Sequence, residues 1–428
     1  MNRLTWIGIL LLALLSAATG QRLLFLMSLI LALLAGSAQL WSRYCLVGVS
    51  YRRRFDQNRL FYGDDTRMDV EIVNAKPLPL GWLRIDDEFP FSMHPQNDEL
   101  DDPSQATPNS RRRLVNVLSL RWYERVIRRY TLKGARRGLW HFGPAQIRSG
   151  DMFGFDIQRM AYDSIDTLLV YPKIVSLEAL GLPAGHPFGD FTSRRRLVED
   201  PLRLMGTRAY APGDSYRHIH WKATARRQSL QTKVFEPSAT LPVAIFLNLN
   251  TYDPDHVGLF GSKGQDYPLV EFAITTAASV ARFVWQEGHP VGLYANALLL
   301  SLTLAAEEKI QRTVGRVRVA PRNHPDQLVR ILEALARIEG RARWSFPTLL
   351  HVESSGLAYG TTVVVITSVL EPKLAATLTD LNRKGYSVVL IGLGHARLSS
   401  PIPGVTDYYI GSYDEWSVLE TIQPIFEA

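Results

Sequence analysis

The stretch YAPGDSYRHIHWKATARR, from Tyr210 to Arg227, gathers side chains that can act as nucleophile, base, metal ligand or anion-binding group. Ser215 and His218 stand three residues apart, a spacing that places a serine and a possible base on one face of a helix. No glycine elbow surrounds this serine, and its position after Asp214 is typical of a helix start. We therefore expect no catalytic residue in this stretch.

Metal and nucleic-acid binding are two further interpretations of the same stretch. His218 and His220 are two residues apart, which puts both on one face only in a strand. The stretch contains no cysteine and no evident third ligand, so it predicts no metal site. Tyr216 and Trp221 stand among basic residues and are able to stack on bases. The stretch lacks the framework of the common nucleic-acid-binding motifs, so we expect no specific nucleic-acid partner.

The interpretation that fits best is a structural corner. Pro212 and Gly213 predict a turn, because glycine reaches backbone conformations that other residues avoid. Asp214 is expected to cap a short helix over residues 215–219. The basic outer face of this corner is also a possible docking surface, and the sequence does not separate the two roles.

Buried side chains and ion pairs are expected to hold this corner to an α/β core. The residues concerned are Ile219 and Trp221 as buried side chains, Ala223 and Ala225 as points of close backbone approach, and Arg217 and Arg226 as partners of carboxylates such as Asp214 and Glu236.

Chain length, net charge and cysteine content limit the number of domains, the kind of partner and the disulfides that this chain is able to have. A chain of 428 residues is too long for one ordinary core and predicts two or three domains. The net charge of +7 favours an anionic partner such as a lipid surface, a nucleic acid or an acidic protein face. Cys45 is the single cysteine of the sequence, so no intrachain disulfide forms.

The N-terminus predicts a transmembrane helical hairpin over residues 1–44. Residues 4–21 and 23–42 carry no charge, and each is close to the roughly 20 residues that cross the bilayer as a helix. Arg22 alone separates them. A cleaved signal peptide is the alternative, but it explains only the first run.

Flanking charges predict the orientation of this hairpin. Five arginines follow the second apolar run, against the single Arg22 at the hairpin tip: Arg43, Arg52, Arg53, Arg54 and Arg59. Because positive flanks stay cytoplasmic, we expect a multi-pass protein whose remaining chain is cytosolic. The same arginines are expected to reach anionic headgroups.

Two folded regions follow. Residues 45–172 show period-two runs such as TRMDVEIVN between frequent glycine turns, which predicts an antiparallel β-sandwich. Residues 173–240 carry the opening stretch into the next region. Residues 241–428 alternate continuous apolar runs such as LPVAIFLNL with amphipathic runs such as HPDQLVRILEALARIEG, whose helix we expect to end at Gly340. This alternation predicts a doubly wound α/β domain with a parallel sheet.

The order of these features resembles a known family. Its pattern is roughly Arg-x-Tyr-x-Pro-Gly-Asp, then Arg-x-Ile-x-Trp-Lys-Ala-x-Ala-Arg. The matching residues here are Arg208, Tyr210, Pro212, Gly213, Asp214, Arg217, Ile219, Trp221, Lys222, Ala223, Ala225 and Arg226. Over nearly its whole length the chain is similar to bacterial membrane proteins that carry domain of unknown function fifty-eight.

This resemblance implies a von Willebrand factor A-like domain at the C-terminus and a MoxR-type AAA+ ATPase as partner, with a transglutaminase-like membrane protein as a common neighbour. A-type domains often bind a divalent cation through an Asp-x-Ser-x-Ser sequence. Asn248, Asn250 and Tyr252 stand at those positions here, and Ser368 stands where a further acidic ligand is expected. We therefore expect a degenerate site without metal and no cofactor.

These observations favour a non-enzymatic adaptor at the bacterial inner membrane, which contacts lipid through residues 4–42 and binds the ATPase in the cytosol. Two alternatives remain: a metal-dependent hydrolase of the envelope, and a nucleic-acid-binding membrane protein.

Overall fold

The structure is a computed structural model, and it divides the chain into two compact units. Of the described residues, those up to Tyr171 belong to the first unit, and those of the ranges 172–300 and 312–428 belong to the second. The described residues are 3–90, 93, 111–151, 157–183, 198–212, 214–238, 241–250, 252–257, 263–265, 267–300, 312–313, 316–342, 344–394, 401–411 and 419–422.

The first unit begins with two apolar helices, α1 (Arg3–Thr19) and α2 (Arg22–Tyr44). Trp6 Nε1, near the start of α1, donates a hydrogen bond of 3.1 Å to Gln39 Oε1, near the end of α2. The helices therefore pack antiparallel, and their outward leucines are exposed.

By length and composition, α2 is the one helix of the described residues that is able to cross a membrane. The apolar part of α1, Trp6–Thr19, is shorter than such a span. The structure thus supports one membrane-spanning helix and does not support the predicted multi-pass topology.

The described residues of the first unit that follow α2 include ten strands. They are β1 (Val49–Phe55), β2 (Arg59–Leu60), β3 (Asp65–Asn74), β4 (Leu80–Pro90), β5 (Arg111–Leu120), β6 (Arg125–Lys133), β7 (Gly138–Phe142), β8 (Ala145–Gly150), β9 (Ile157–Tyr162) and β10 (Asp166–Val170). They build three sheets with the orders β1-β3-β6, β2-β10-β7 and β5-β4-β8-β9. Neighbouring strands are antiparallel except β2 and β10, which are parallel.

Side-chain alternation explains how these strands make a core. On β3, Met68, Val70 and Ile72 are fully buried while their neighbours face outward, as the sequence pattern predicts. They belong to one apolar cluster that draws on all three sheets and includes Cys45, just after α2. The first unit is therefore organised around one shared core.

Inside this unit, Arg53 forms a fully buried ion pair with Asp87, and neither side chain is accessible to solvent. Arg53 Nη1 lies 2.9 Å from Asp87 Oδ1, and Tyr51 donates its hydroxyl to Asp87 Oδ2 at 2.6 Å. Arg53 Nη2 donates to the Ser164 carbonyl, and its Nε lies 2.8 Å from Asp166 Oδ2. Burial raises the pKa of Asp87 to about 6 against the opposing effect of Arg53. The prediction that Arg53 reaches lipid headgroups is thus wrong, because its side chain points into the core.

The described residues of the second unit form thirteen strands and five helices. The strands are β11 (Val198–Ala209), β12 (Gln231–Ser238), β13 (Val243–Leu247), β14 (Tyr252–Val257), β15 (Lys263–Gln265), β16 (Val291–Ala295), β17 (Ala297–Leu300), β18 (Arg312–Thr313), β19 (Val317–Arg322), β20 (Ile338–Ala342), β21 (Thr362–Thr367), β22 (Ser387–Leu393) and β23 (Val405–Ile410). The helices are α3 (Trp221–Arg227), α4 (Tyr267–Gln286), α5 (Gln327–Arg337), α6 (Phe346–Ser354) and α7 (Pro372–Arg383).

A six-stranded sheet with the order β19-β16-β13-β21-β22-β23 lies at the centre of this unit. All neighbours are parallel except β19, which pairs antiparallel with β16 at one edge. Every residue of β13, β16 and β21 is buried, as continuous apolar runs predict for strands covered on both faces. The prediction of an α/β region with a parallel sheet is confirmed.

One predicted boundary in this unit is wrong. The helix expected to continue to Gly340 ends at Arg337, and Ile338 takes an extended conformation. Residues 338–342 form β20, which pairs with β17 instead. The partner strand β17 lies far from residues 338–342 in the sequence. The helical spacing of the apolar residues before Gly340 therefore could not indicate this pairing.

Candidate functional site

The stretch singled out in the sequence forms an excursion between the two strands of an antiparallel ribbon. β11 pairs with β12, and the Tyr210 amide donates to the Leu230 carbonyl at 2.9 Å to close the base of the excursion. Residues 211–229 contain a short 3₁₀ turn, Tyr216–His218, followed by α3. The described residues of the family pattern therefore lie in this excursion, apart from Arg208, which lies on β11.

Asp214 holds the start of this excursion. Its carboxylate accepts hydrogen bonds from Arg208 Nη2 at 2.6 Å, from the Ala211 amide at 2.9 Å and from Thr232 Oγ1 at 3.3 Å. The pKa of this carboxyl lies below its ordinary value, mainly because Arg208 donates to it. The residue therefore fixes the turn to both strands of the ribbon.

Two predictions about Asp214 are corrected by these bonds. Asp214 does not cap a helix over residues 215–219, because its oxygens accept hydrogen bonds from Arg208, Thr232 and the Ala211 amide. Ser215, the residue directly before the 3₁₀ turn, makes no side-chain cap either. The arginine partner of Asp214 is Arg208, rather than Arg217 or Arg226. Gly213 and the side chain of Glu236 lie outside the described residues.

His220 has a structural role that the sequence did not reveal. Its Nδ1 accepts a hydrogen bond of 3.0 Å from the Ala223 amide, so it caps α3, and its own amide donates to the Gln231 carbonyl. Within the described residues, no group of three or more His, Cys, Asp or Glu is arranged to hold a metal ion. A histidine directly before a helical run was the available signal for this cap.

Burial was expected for both Ile219 and Trp221, but the structure buries only Ile219. Ile219 is buried and forms a β-bridge with Thr232. Trp221 is 70% exposed, so the prediction that it is buried is wrong. It is the first residue of α3, and this helix turns Thr224 toward the ribbon, where Thr224 Oγ1 accepts from the Gln231 amide at 3.0 Å. The hydrogen bond of Thr224 to the ribbon does not bury Trp221, which lies one turn before it at the N-terminal end of α3 and remains in solvent.

An aromatic and basic surface results, which we call the signature surface. It consists of the exposed residues Tyr216, Arg217, Trp221, Lys222, Arg226 and Arg227. Tyr216 is 74% exposed, and its ring stacks on Tyr210 with centroids 5.8 Å apart. Large exposed rings among cations are suited to binding an acidic partner, because aromatic and arginine side chains dominate the energy of many interfaces.

A second set of candidate residues lies at the carboxyl edge of the parallel sheet. From β13 the chain passes to β16 on one side and later to β21 on the other, so strand order reverses around β13. Ligands of doubly wound folds bind in the crevice at such a reversal. A small cleft of about 120 Å³ opens there, lined by Asn248, Asn250, Ser345, Phe346, Pro347, Val369, Glu371 and Leu374.

Asn248 is the centre of a closed hydrogen-bond network at this edge. Its Oδ1 accepts from Asn296 Nδ2 at 2.9 Å and from the Asn250 amide at 3.1 Å. Its Nδ2 donates to Thr367 Oγ1 at 3.0 Å. The side chain is buried, and both of its polar atoms are already engaged. A cation would have to displace these protein donors to reach the carbonyl oxygen.

Of the other positions predicted for the cation site, two lie beside this network and the third begins a strand. Ser368 Oγ donates to the Asn250 carbonyl at 3.2 Å, so both residues lie beside Asn248. Tyr252 begins β14, and its side chain lies outside the described part of the chain. Asn296 was missed, although its place directly after the buried strand VGLYA puts it at the same sheet edge.

Part of the second unit is similar to a known protein family. Residues 206–392 match the family described as "Protein of unknown function DUF58". "Uncharacterized protein YeaD" of Bacillus subtilis is 27% identical over 257 residues, which cover 60% of this chain. The match spans 58% of the length of that relative, less than two thirds.

Similarity to solved structures is weak. A CARDB domain of Pyrococcus furiosus is 6% identical with a TM-score of 0.20, over 28% of this chain and 86% of that one. Spo0M of Bacillus subtilis, a sporulation control protein, is 10% identical with a TM-score of 0.17, over 29% and 49% of the two chains. No conclusion follows from scores this low. The family resemblance inferred from the signature residues is confirmed over residues 206–392, which match the DUF58 family of unknown function.

Proposed function

We propose that the protein is a non-enzymatic adaptor, held at the bacterial inner membrane by α2, that docks an acidic cytosolic partner on the signature surface. The observation that carries this proposal is the exposure of Trp221 and Tyr216 amid four cations. Exposed patches that contain large apolar rings mark sites of protein contact more often than single exposed residues do. The partner that the family resemblance implies is a MoxR-type AAA+ ATPase, with a transglutaminase-like membrane protein as a further candidate.

The proposal includes a fold and a topology. The sheets of the first unit are taken as a β-sandwich, and the central sheet of the second unit as a von Willebrand factor A-like domain in which the Asn248 network replaces a cation. The saturated bonds of Asn248 support that replacement. The exposed arginines at the end of α2 and after it, among them Arg43 and Arg52, support a cytosolic position for the chain beyond Tyr44. We take α1 to lie beside α2 in the bilayer, as the Trp6–Gln39 contact suggests.

Two variants of the signature surface test the docking role. Because Trp221 is exposed, Trp221→Ala should change the free energy of unfolding by less than about 0.5 kcal/mol. It should weaken binding of a purified MoxR-type ATPase to the detergent-solubilised chain by on the order of tenfold or more, as loss of an interface tryptophan does. Lys222→Glu should lower the association rate and its salt dependence, and a negative charge in the first turn of α3 does not oppose the helix dipole.

Arg330→Glu is the matched control, because Arg330 is an exposed cation near the start of α5, away from the signature surface. It should bind the ATPase like the wild type. Unaltered binding by both signature variants contradicts the docking role, and a large loss of stability in Trp221→Ala returns the tryptophan to a structural role. Salt-sensitive DNA binding that is lost in the same variants, without ATPase binding, favours the nucleic-acid alternative.

A further inference from the structure

Exposed apolar side chains of the first unit surround the end of α2. They are Val47, Trp122, Tyr123 and Ile157. The two aromatic residues form the turn between β5 and β6 and are 67% and 68% exposed. Isolated exposed apolar residues are ordinary, but a group that includes two large rings marks an interaction surface.

Lys76 connects the aromatic turn to the end of the helix. Its carbonyl accepts a hydrogen bond of 3.2 Å from the Tyr123 amide. Its Nζ donates to the carbonyl of Cys45, the residue directly after α2, and to the carbonyl of Val47 at 2.7 Å. The aromatic turn is thus separated from the helix end by the length of one lysine side chain.

Asn74 fixes the conformation of the turn. Its Nδ2 donates to the Arg121 carbonyl at 2.8 Å, and its amide donates to the Glu124 carbonyl at 2.9 Å. Tyr123 has a φ of 53°, a left-handed conformation that costs free energy in a residue with a bulky side chain. The surrounding bonds maintain this conformation, so the outward display of both rings is built into the fold.

Ile157 lies close to the same helix end, at the start of β9. The next residue, Gln158, donates from Nε2 to Ser42 Oγ in the last turn of α2 at 3.2 Å. Because successive side chains of a strand point to opposite faces, Gln158 faces the helix and Ile157 is exposed on the other face of β9 beside it.

We propose that Val47, Trp122, Tyr123 and Ile157 enter the headgroup region of the bilayer that α2 crosses. This inference rests on the proposed membrane crossing of α2. The interfacial region is about 5–8 Å deep on each side of the hydrocarbon core, comparable to the length of the lysine that joins the turn to the helix end. Tryptophan and tyrosine favour this region, since one part of each ring is apolar and the other part forms hydrogen bonds.

Charge at the same place fits anionic lipid. Arg43 in the last turn of α2 and Arg121 at the start of the aromatic turn are both exposed. Basic residues near a membrane surface attract anionic headgroups. With a helix and a lateral patch both in contact with lipid, the first unit is held in one orientation relative to the bilayer instead of pivoting on α2.

Spin labels in the full-length chain test this inference. Labels are placed at Trp122→Cys, at Leu33→Cys in the middle of α2, and at Val115→Cys, an exposed site about 17 Å along β5 from its end at Leu120. The native Cys45 is fully buried, and burial raises the pKa of its thiol, so the wild-type chain should remain unlabelled and serves as the blank.

Collision rates with oxygen and with a water-soluble nickel chelate are measured in nanodiscs of phosphatidylethanolamine and phosphatidylglycerol. The ratio of oxygen to nickel rates at residue 122 should be several-fold higher than at residue 115 and should stay below that at residue 33, as expected for the headgroup region. A nickel-accessible label at residue 122, with a lipid-exposed label at residue 33, overturns the interfacial contact and leaves the anchor standing. A nickel-accessible label at residue 33 overturns both.

Discussion

Arg53→Ala is expected to lower the free energy of unfolding of the first unit by about 3–5 kcal/mol, because it leaves the buried Asp87 carboxylate without its partner. Without Arg53, the burial that already raises the pKa of Asp87 to about 6 loses its largest opposing effect, and the pKa rises further. A carboxyl whose pKa is higher in the folded state destabilises the fold once it ionises, so the loss should be larger above that pKa than below it.

Arg52→Ala is the matched control for this variant. Arg52 is the neighbouring residue on β1, but its side chain is exposed on the other face, so its removal should cost less than about 0.5 kcal/mol. Denaturant unfolding of the detergent-solubilised chain at mildly acidic and at mildly alkaline pH measures both variants. Equal stabilities for the two variants would show that Arg53 is not buried as described.

Asn248→Ala is expected to cost roughly 3 kcal/mol of stability in the second unit. The substitution leaves the Asn250 amide and Asn296 Nδ2 without their shared acceptor, and each buried unsatisfied group costs about 1–3 kcal/mol. Thermal melts of the full chain measure this loss.

Asn250→Ala provides the control, since Asn250 joins the network through its backbone amide and carbonyl, which alanine retains. Its melt should stay close to that of the wild type. Magnesium or EDTA should shift neither wild-type nor control melts, whereas a bound cation at a hundredfold excess over its dissociation constant would add about 2.7 kcal/mol. A magnesium-dependent rise in the wild type would contradict the saturated network.

Four strands of the central sheet, β13, β16, β21 and β22, were predictable because each is a nearly continuous apolar run. A run such as VAIFL is apolar at every position, which is typical of a strand covered on both faces. The buried side of β3 in the first unit was equally readable from its period of two. The chemistry at the sheet edge was only partly predictable: Asn248 was identified, but its partners Asn296 and Thr367 lie 48 and 119 residues further along the chain.

Trp221 and Arg53 show why side-chain placement was harder to predict than strands and helices. A seven-residue helix has too few turns for its sequence to indicate a buried side, and none of the residues of α3 is buried. Arg53 lies between two exposed arginines on β1, and in a strand the middle one points the opposite way. Its burial depends on Asp87 and Asp166, which are distant in sequence.

Locating the chain beyond α2 relative to the membrane tests the central claim most directly. A cytosolic partner reaches the signature surface only if that part of the chain lies in the cytosol. A reporter fused after Ala428 that is active solely in the cytosol is compared with one that is active solely in the periplasm, each expressed on the full-length chain. We expect activity from the cytosolic reporter alone, since the exposed arginines after α2 hold that flank inside. Activity of the periplasmic reporter would contradict the adaptor proposal, because the signature surface would then lie across the membrane from any cytosolic ATPase.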